Sequence, residues 1–428
     1  MAGLHFQFDL RRRFFYPLVA ALLLASAAHA AGNTRYVVID QDGLGPGGTN
    51  MNSMLVFLQT PDVKVLGITI VTGDGWRDEE VAHTLRMLEL IGRTDIPVYV
   101  GARQPLLRTQ QWTANWEKLY GKIVYHGAWD APPAEHPATG VPPSLPEGNP
   151  TTKAAEGSAA DFLVRAVHEH PHQVAIYAAG PMTNIAQAIL RDPLFAETAK
   201  ELVIMGGSIN PQTTDPEFAG DPHHEFNLWF DPEASSITLR AHWPKITVTT
   251  VDVSIQTHMT REIHDAVAKS SSPAARYFAC YQRLDAGYLW DELAAAAWLD
   301  PTLITREFYV YMDVSLDKGI SYGDTEIWTD QVKPELDLQK VHAQMDVDWP
   351  RFRSLFEQLL MAPTPGSVSY THLDVYKRQL QFRTETFNVF NHPQFALPGN
   401  YTDSSGFGQI GSTVNNPRLI QFALKLIF

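Results

Sequence analysis

The sequence predicts an α/β domain built on a mostly parallel sheet with helices on both faces. Strand-like and helix-like runs alternate from about residue 36 to residue 361, the pattern that β-α-β units produce. The first strand-like run, Val37 to Ile39, is apolar and β-branched and reads as a buried strand. It ends on two carboxylates, Asp40 and Asp42, before a turn containing Gly43, Gly45, Gly47 and Gly48. In open α/β sheets, ligands bind outside the carboxyl ends of the strands. Thr49, Asn50 and Asn52 follow at the start of a helical pattern. Hard oxygen donors gathered there suit Ca²⁺ or Mg²⁺. The same residues also read as a strand end with solvated acids before a capped helix.

The remaining elements follow in order. Val63 to Thr72 is a second strand, and Gly73-Asp74-Gly75-Trp76 is a turn. Val81, Leu85, Leu88 and Ile91 fall at helical spacing, and Ile96 to Val100 is a short third strand. Periodicity fades from Arg103 to about Lys153, where aromatics precede a proline-rich run; such a stretch is a functional lid or a surface insert. A helix over Ala159–His168 leads to a strand over Gln173–Ala178 and a turn, Gly180 to Asn184, into another helix. Glu201 to Met205 is a strand. Pro211 to His224 reads as polar loop, and the segment after Asn227 as one helix through Leu239. A strand over Ile246–Val253, helices ending with Leu289–Leu299, a hairpin over Glu307–Val314 and Ile320–Trp328, and a helix over Trp349–Leu360 complete the domain.

The chain has 428 residues, 45% hydrophobic, with formal charge −14, enough for a sizeable core. The acidic balance argues against a nucleic-acid partner. Arg11 to Arg13, the apolar run Phe14–Ala27 and Ala28-His29-Ala30 read as a cleaved export signal over residues 1–30; Arg11-Arg12 also fits a twin-arginine signal. The apolar run is short for a membrane span, so the mature domain, 31–362, is expected in the periplasm or outside the cell with no membrane of its own. The single cysteine, Cys280, excludes an intrachain disulfide; its thiol could be a nucleophile but reads rather as a small buried hydrophobe. Residues 363–428 differ in character. Ser367 to Gln379 resembles a translated sequencing-adaptor artefact. The remainder resembles the end of a TonB-dependent-receptor-type outer-membrane barrel: Ile420, Phe422, Leu424, Leu426 and Phe428 alternate with more polar positions. The expectation is a spurious fused tail.

Seven motifs then occur in one order: VIDQDG, PDVKVLGITIVTGD, GRTDIPVYVGARQPL, GPMTNIAQAI, ELVIMGG, HEFNLWFDPEA and LWDELAAAAWLDP. In that order, residues 35 to 361 resemble the inosine–uridine-preferring nucleoside hydrolase family. The resemblance implies a doubly wound sheet and a Ca²⁺ ion at the strand ends. It implies Asp42 as calcium ligand and general base, with Asn50, the backbone carbonyl of Thr183 and Asp291 as further ligands. Asp40 would support them. Glu225 and Asn227, with Phe226 between, match residues that hold ribose hydroxyls; Asp74 stands where the family usually has asparagine, also near the ribose. The substrate would be a ribonucleoside or related N-riboside, in purine or pyrimidine salvage, and relatives are commonly oligomers.

Cleaving an N-glycosidic bond passes through an oxocarbenium-like sugar, which nearby carboxylates stabilise. The departing base needs a proton or a stacking partner. Trp290 stands where some members have histidine; it or Trp76 could stack on the base, or either could be a pocket wall. His223 and His224 could donate a proton or be ordinary loop residues. Glu292, one residue past a ligand position on a helix, should face elsewhere. The first loop is three residues longer than usual, and Thr49-Asn50 replace two adjacent aspartates. Thr49 stands where a carboxylate would grip ribose, so weaker calcium binding or altered preference is expected. The alternative is a weakly catalytic or non-catalytic ribose- or carbohydrate-binding protein on the same scaffold.

Overall fold

The computed structural model describes residues 34–284 and 287–366, the strands Gln379–Phe387 and Leu419–Ile427, and positions 410 and 412. It divides into two compact units, Met1–Ser367 and Val368–Phe428. The signal-like residues 1–30 and Ser367 to Arg378 of the adaptor-like segment lie outside the described residues. Among the described residues no helix is long and apolar enough to cross a membrane.

The first unit is a nine-stranded sheet. Its strands are β1 (Arg35–Gln41), β2 (Val63–Ile70), β3 (Val98–Val100), β4 (Val174–Ala179), β5 (Glu201–Met205), β6 (Ile246–Thr249), β7 (Ile304–Val314), β8 (Thr325–Trp328) and β9 (Lys340–Val347). Their order is β3-β2-β1-β4-β5-β6-β9-β7-β8. Every pairing from β3 to β9 is parallel; β7 pairs antiparallel with both β9 and β8. The first crossovers run outward from β1 to β3, and the later ones run the other way from β4. The switch between β1 and β4 opens a crevice at the carboxyl ends.

Side chains of a strand alternate between faces. Val37 and Ile39 pack in one core with helices Thr49–Leu58, Arg77–Ile91, Trp290–Leu299 and Trp349–Met361, while Val38 packs in a second core with Ala159–Glu169, Thr183–Arg191 and Pro232–Arg240. Burial on both sides explains why the β1 run is continuously apolar. Each fully buried Val or Ile contributes about 1.5–3 kcal/mol.

Some segments differ from expectation. Gln110–Tyr120 is a helix inside the stretch where periodicity fades, capped by the Thr109 side chain accepting from Trp112 N at 3.1 Å. β6 stops at Thr249, and Val251–Ser254 turns into a short helix whose Asp252 accepts from Ile209 N and Asn210 N. The segment after Glu225 is two helices, Phe226–Phe230 and Pro232–Arg240. They break at Asp231, which accepts from Leu106 N, Ala234 N and Thr183 Oγ1. β9 was not expected; it enters between β6 and β7, so the hairpin β7–β8 lies at the sheet edge. Cys280 is exposed, not buried: the apolar face of Pro273–Tyr281 is Ala274, Ala275, Tyr277 and Phe278, and Cys280 falls off it.

In the second unit, β10 (Gln379–Phe387) and β11 (Leu419–Ile427) form an antiparallel pair.

Candidate active site

The carboxyl end of β1 is wired to its neighbours residue by residue. Asp40 lies opposite Thr69 of β2 in register, and its Oδ1 accepts from Thr69 Oγ1 and from Asn184 Nδ2 at 2.8 Å. Burial pushes its pKa up to about 7 against those two donors. Gln41 Nε2 donates to Asp291 Oδ2 at 3.0 Å and to Ser53 Oγ at 3.0 Å, while Gln41 Oε1 accepts from Asp42 N at 2.9 Å. Asp42 is 1% exposed. Its Oδ1 accepts from Asn50 Nδ2 at 3.0 Å and its Oδ2 from Asp74 N at 3.0 Å. A Cβ at Gly73 would sit 2.1 Å from Asp42 Oδ2, and one at Gly180 3.0 Å from its Cγ. Both turns therefore need glycine to close on this carboxylate.

The glycine-rich turn delivers the helix Thr49–Leu58 to the same spot. Gly47 has φ +82°, and a Cβ there would lie 2.2 Å from the Tyr281 carbonyl oxygen, so only glycine fits. Thr49 Oγ1 donates to Glu292 and accepts from Asp291 N at 3.1 Å. The other Glu292 oxygen accepts from Asn52 Nδ2 at 2.9 Å. Asn50 Nδ2 also reaches Asp74 Oδ2 at 3.1 Å, and Tyr125 Oη donates to Asp74 Oδ1 at 2.9 Å. Tyr125 comes from the irregular stretch, which folds over the site: Ala128 N donates to Gly73 O at 2.8 Å.

Across the crevice, Glu225 caps the helix Phe226–Phe230. Its carboxylate accepts from Asn227 N at 2.9 Å, Leu228 N at 3.0 Å and Gly207 N at 3.0 Å. Asn227 Nδ2 donates to Met205 O at 3.1 Å. These groups open on a cavity of about 820 Å³. Thr49, Asn50, Asp74, Glu225, Phe226, Asn227, Trp290 and Asp291 line it.

The cavity floor is strongly acidic. Burial pushes Asp42, Asp74 and Asp291 above the usual carboxylate range, and repulsion from Asp74 adds to the rise at Asp42 and Asp291. None of the ion pairs among the described residues involves these three carboxylates. Buried carboxylates with oxygen neighbours and no ion pair fit a hard divalent cation. Among the described residues no three acidic, histidine or cysteine side chains form a ready metal cluster.

Five expected site residues do not line the cavity, Asp42 among them, whose two carboxylate oxygens are taken up by Asn50 Nδ2 and Asp74 N. Asp40 lies behind Asp42, held by Thr69 and Asn184. Trp76 packs in an aromatic cluster with Trp129, Phe226, Trp229 and Phe230 and does not line the cavity, whereas Trp290 does. His224 is buried edge-on against Trp229, with both ring nitrogens unpartnered; burial and the nearby Arg108 push its pKa down to about 3, so it is neutral at ordinary pH and holds no proton to give as an acid. The Thr183 side chain is directed to Asp231 at 2.7 Å. Glu292 faces Thr49 and Asn52 rather than the cavity, in keeping with its place on the helix. Sequence reasoning missed Gln41, Tyr125 and Glu217, of which the last two line the cavity. Gln41 carried a signal, a polar residue between two acids at a buried strand end, and Tyr125 carried one as an aromatic opening the irregular stretch.

The fold and cavity place the chain among doubly wound α/β proteins with a ligand site at the switch point of the sheet. The model of the inosine-uridine preferring nucleoside hydrolase family matches residues 37–354, and the chain belongs to that family. It is accordingly a hydrolase of the N-glycosidic bond. Uridine nucleosidase 1 of Arabidopsis thaliana is 32% identical over 225 residues, 53% of this chain and 59% of that protein. A pyrimidine-specific ribonucleoside hydrolase of an Enterobacter species is 29% identical over 281 residues, covering 63% of this chain and 80% of the relative. The solved structure of a plant nucleoside hydrolase superposes with a TM-score of 0.60 at 26% identity, over 77% of this chain and all of that one. Residues 372–421 match an outer membrane beta barrel domain.

Proposed function

We propose that this protein is an exported, Ca²⁺-dependent hydrolase that releases ribose and free base from ribonucleosides or related N-ribosides. The observation that supports the metal is the presence of buried Asp42, Asp74 and Asp291 at one strand end, none of them in an ion pair among the described residues. Asp42, Asp291, the Asn50 amide turned to present its oxygen, and the Thr183 carbonyl would hold the cation. When bound, it would supply positive charge that fixes water and sugar hydroxyls in place.

The residues of the chain carry the rest. Asp42 takes the proton of the attacking water. Glu225 is anchored by three backbone N–H groups and so presents a fixed acceptor edge to ribose hydroxyls. Asp74, held by Tyr125 and Asn50, lies beside the developing positive charge on the sugar. Trp290 gives the departing base an aromatic face.

Export rests on the basic, apolar and A-x-A segments of residues 1–30, and the tail is read as a fused fragment. The test of the main proposal uses uridine and inosine with a reducing-sugar readout. Chelation should abolish turnover, millimolar Ca²⁺ should restore it, and Ca²⁺ should raise Tm. Asp42→Asn should fold and lose activity. Full activity in that variant would refute the role of Asp42. The second reading, a ribose-binding protein, is favoured by the Asn50 amide lying across Asp42. Tight ribose binding without product would support it.

A further inference from the structure

We infer that Glu217 is the general acid of this site, protonating the base as it leaves. This rests on the hydrolase reading. With Trp290 where some relatives carry histidine, and His224 neutral outside the cavity, neither residue supplies that proton. Glu217 lies on the short helix Pro216–Ala219 and lines the same cavity as Asp74, Glu225, Trp290 and Asp291. The adjacent Phe218 is buried and packs edge-on against Trp290, with ring centroids 5.7 Å apart, which ties this segment to the aromatic face proposed for the base.

Glu217 also differs from the other acids of the cavity. Asp74 is bonded by Tyr125 and Asn50, Glu79 by His136, Glu225 by three backbone amides and Asp291 by Gln41. Among the described residues the Glu217 carboxylate has no hydrogen bond and no ion pair. It is surrounded instead by negative charge: Asp215 on its own segment, Glu225 beyond β5 and Asp74 beyond β2. Tyr125, bonded to Asp74, lies within its field. Burial and these neighbours push its pKa up to about 7, so a large fraction holds the proton at neutral pH. A protonated carboxyl with no partner in the protein is free to donate to a ligand.

The step balances. The C1′–N bond breaks and its electron pair goes to the base. The Glu217 proton passes to a ring nitrogen or carbonyl oxygen of that base. Water bonds to C1′ and gives its proton to Asp42; after product release Asp42 returns that proton to solvent and Glu217 is reprotonated from solvent.

The test compares substrates whose leaving groups differ in need of a proton. Uridine and inosine need one; 4-nitrophenyl β-D-ribofuranoside releases a stable phenolate and does not. Glu217→Gln should lower kcat on the nucleosides by about 10²–10³-fold, change the nitrophenyl riboside by less than about threefold, and remove the alkaline limb of the nucleoside profile. Glu217→Asp should keep part of the activity and its alkaline limb. Equal losses on both substrates, or no loss on either, would overturn the assignment while leaving the hydrolase intact. So would a native protein that cleaves only the nitrophenyl riboside. A native protein inert on all three would sink the hydrolase reading itself, and this assignment with it.

Discussion

The side-chain amide of Asn50 lies across Asp42, its nitrogen 3.0 Å from Asp42 Oδ1 and 3.1 Å from Asp74 Oδ2. An amide N–H₂ between two carboxylates partly neutralises them as a cation would. Rotation of the amide exchanges donor for acceptor at that point. Asn50→Asp removes the donor and adds a charge. Without divalent cation the variant should melt several degrees lower, because like charges then converge in a buried site. With Ca²⁺ it should bind about tenfold tighter or better, since one more anionic ligand favours a hard cation. Calorimetric titration measures this, and unchanged affinity would show that Asn50 is not at the cation.

Thr49 and Glu292 form a second pairing that bears on the ribose end of the site. Thr49 occupies the position of a lost carboxylate, yet its hydroxyl donates to a buried carboxylate from a distant helix and accepts from Asp291 N. The hydroxyl thereby ties the helix start to Glu292, whose pKa burial raises to about 7, and holds Asp291 in register. Thr49→Val and Glu292→Gln should each reduce kcat/KM by about 10-fold or more. Together they should cost less than the sum, with a coupling of about 0.5–3 kcal/mol. Strict additivity would mean that the two act separately.

The irregular stretch is fastened at its far end by one carboxylate. Glu89 Oε1 accepts from Thr151 N at 2.7 Å and Thr152 N at 2.7 Å, and Oε2 pairs with Arg86 at 2.9 Å. These donors hold its pKa down at about 2, against burial. A depressed carboxylate stabilises the fold above its unfolded value, near pH 4.5, and loses that contribution as pH falls toward 2. Glu89→Gln should speed proteolytic cleavage between residues 121 and 157 at neutral pH. Native and variant cleavage rates should converge as pH drops below about 4.

How much of this was legible depended on sequence distance. β1, the glycine-rich turn and Glu225 to Asn227 were readable because the residues that act together are adjacent, and their spacing carries the geometry. β9 was not, because KVHAQMDV mixes polar and apolar positions and draws its identity from the neighbours β6 and β7. The helix Gln110–Tyr120 had a cap and three aromatics at i, i+4, i+8, but the residues between them are mostly polar and the face they form is only half-buried, so the stripe is narrow. Gln41 to Asp291 and Thr49 to Glu292 span more than 240 positions, which no local pattern encodes.

His224 provides a test in which stability and chemistry point the same way. Its ring lies against Trp229 with both nitrogens unpartnered, and its pKa of about 3 compares with 6.5 for a free side chain. Between those values the unfolded chain binds a proton that the folded one does not, so stability rises with pH across this window and is fully recovered above about 6.5. At pH 5 the difference amounts to about 2 kcal/mol of lost stability. His224→Leu removes both the titration and an unsatisfied polar ring from an aromatic setting. The variant should match or exceed the native protein in Tm at pH 7.5, and its advantage should widen at pH 5. Turnover of uridine at pH 7.5 should change by less than about threefold, since a neutral residue outside the cavity donates no proton. A loss of several hundredfold at full stability would instead return His224 to the catalytic set and would remove the need for Glu217.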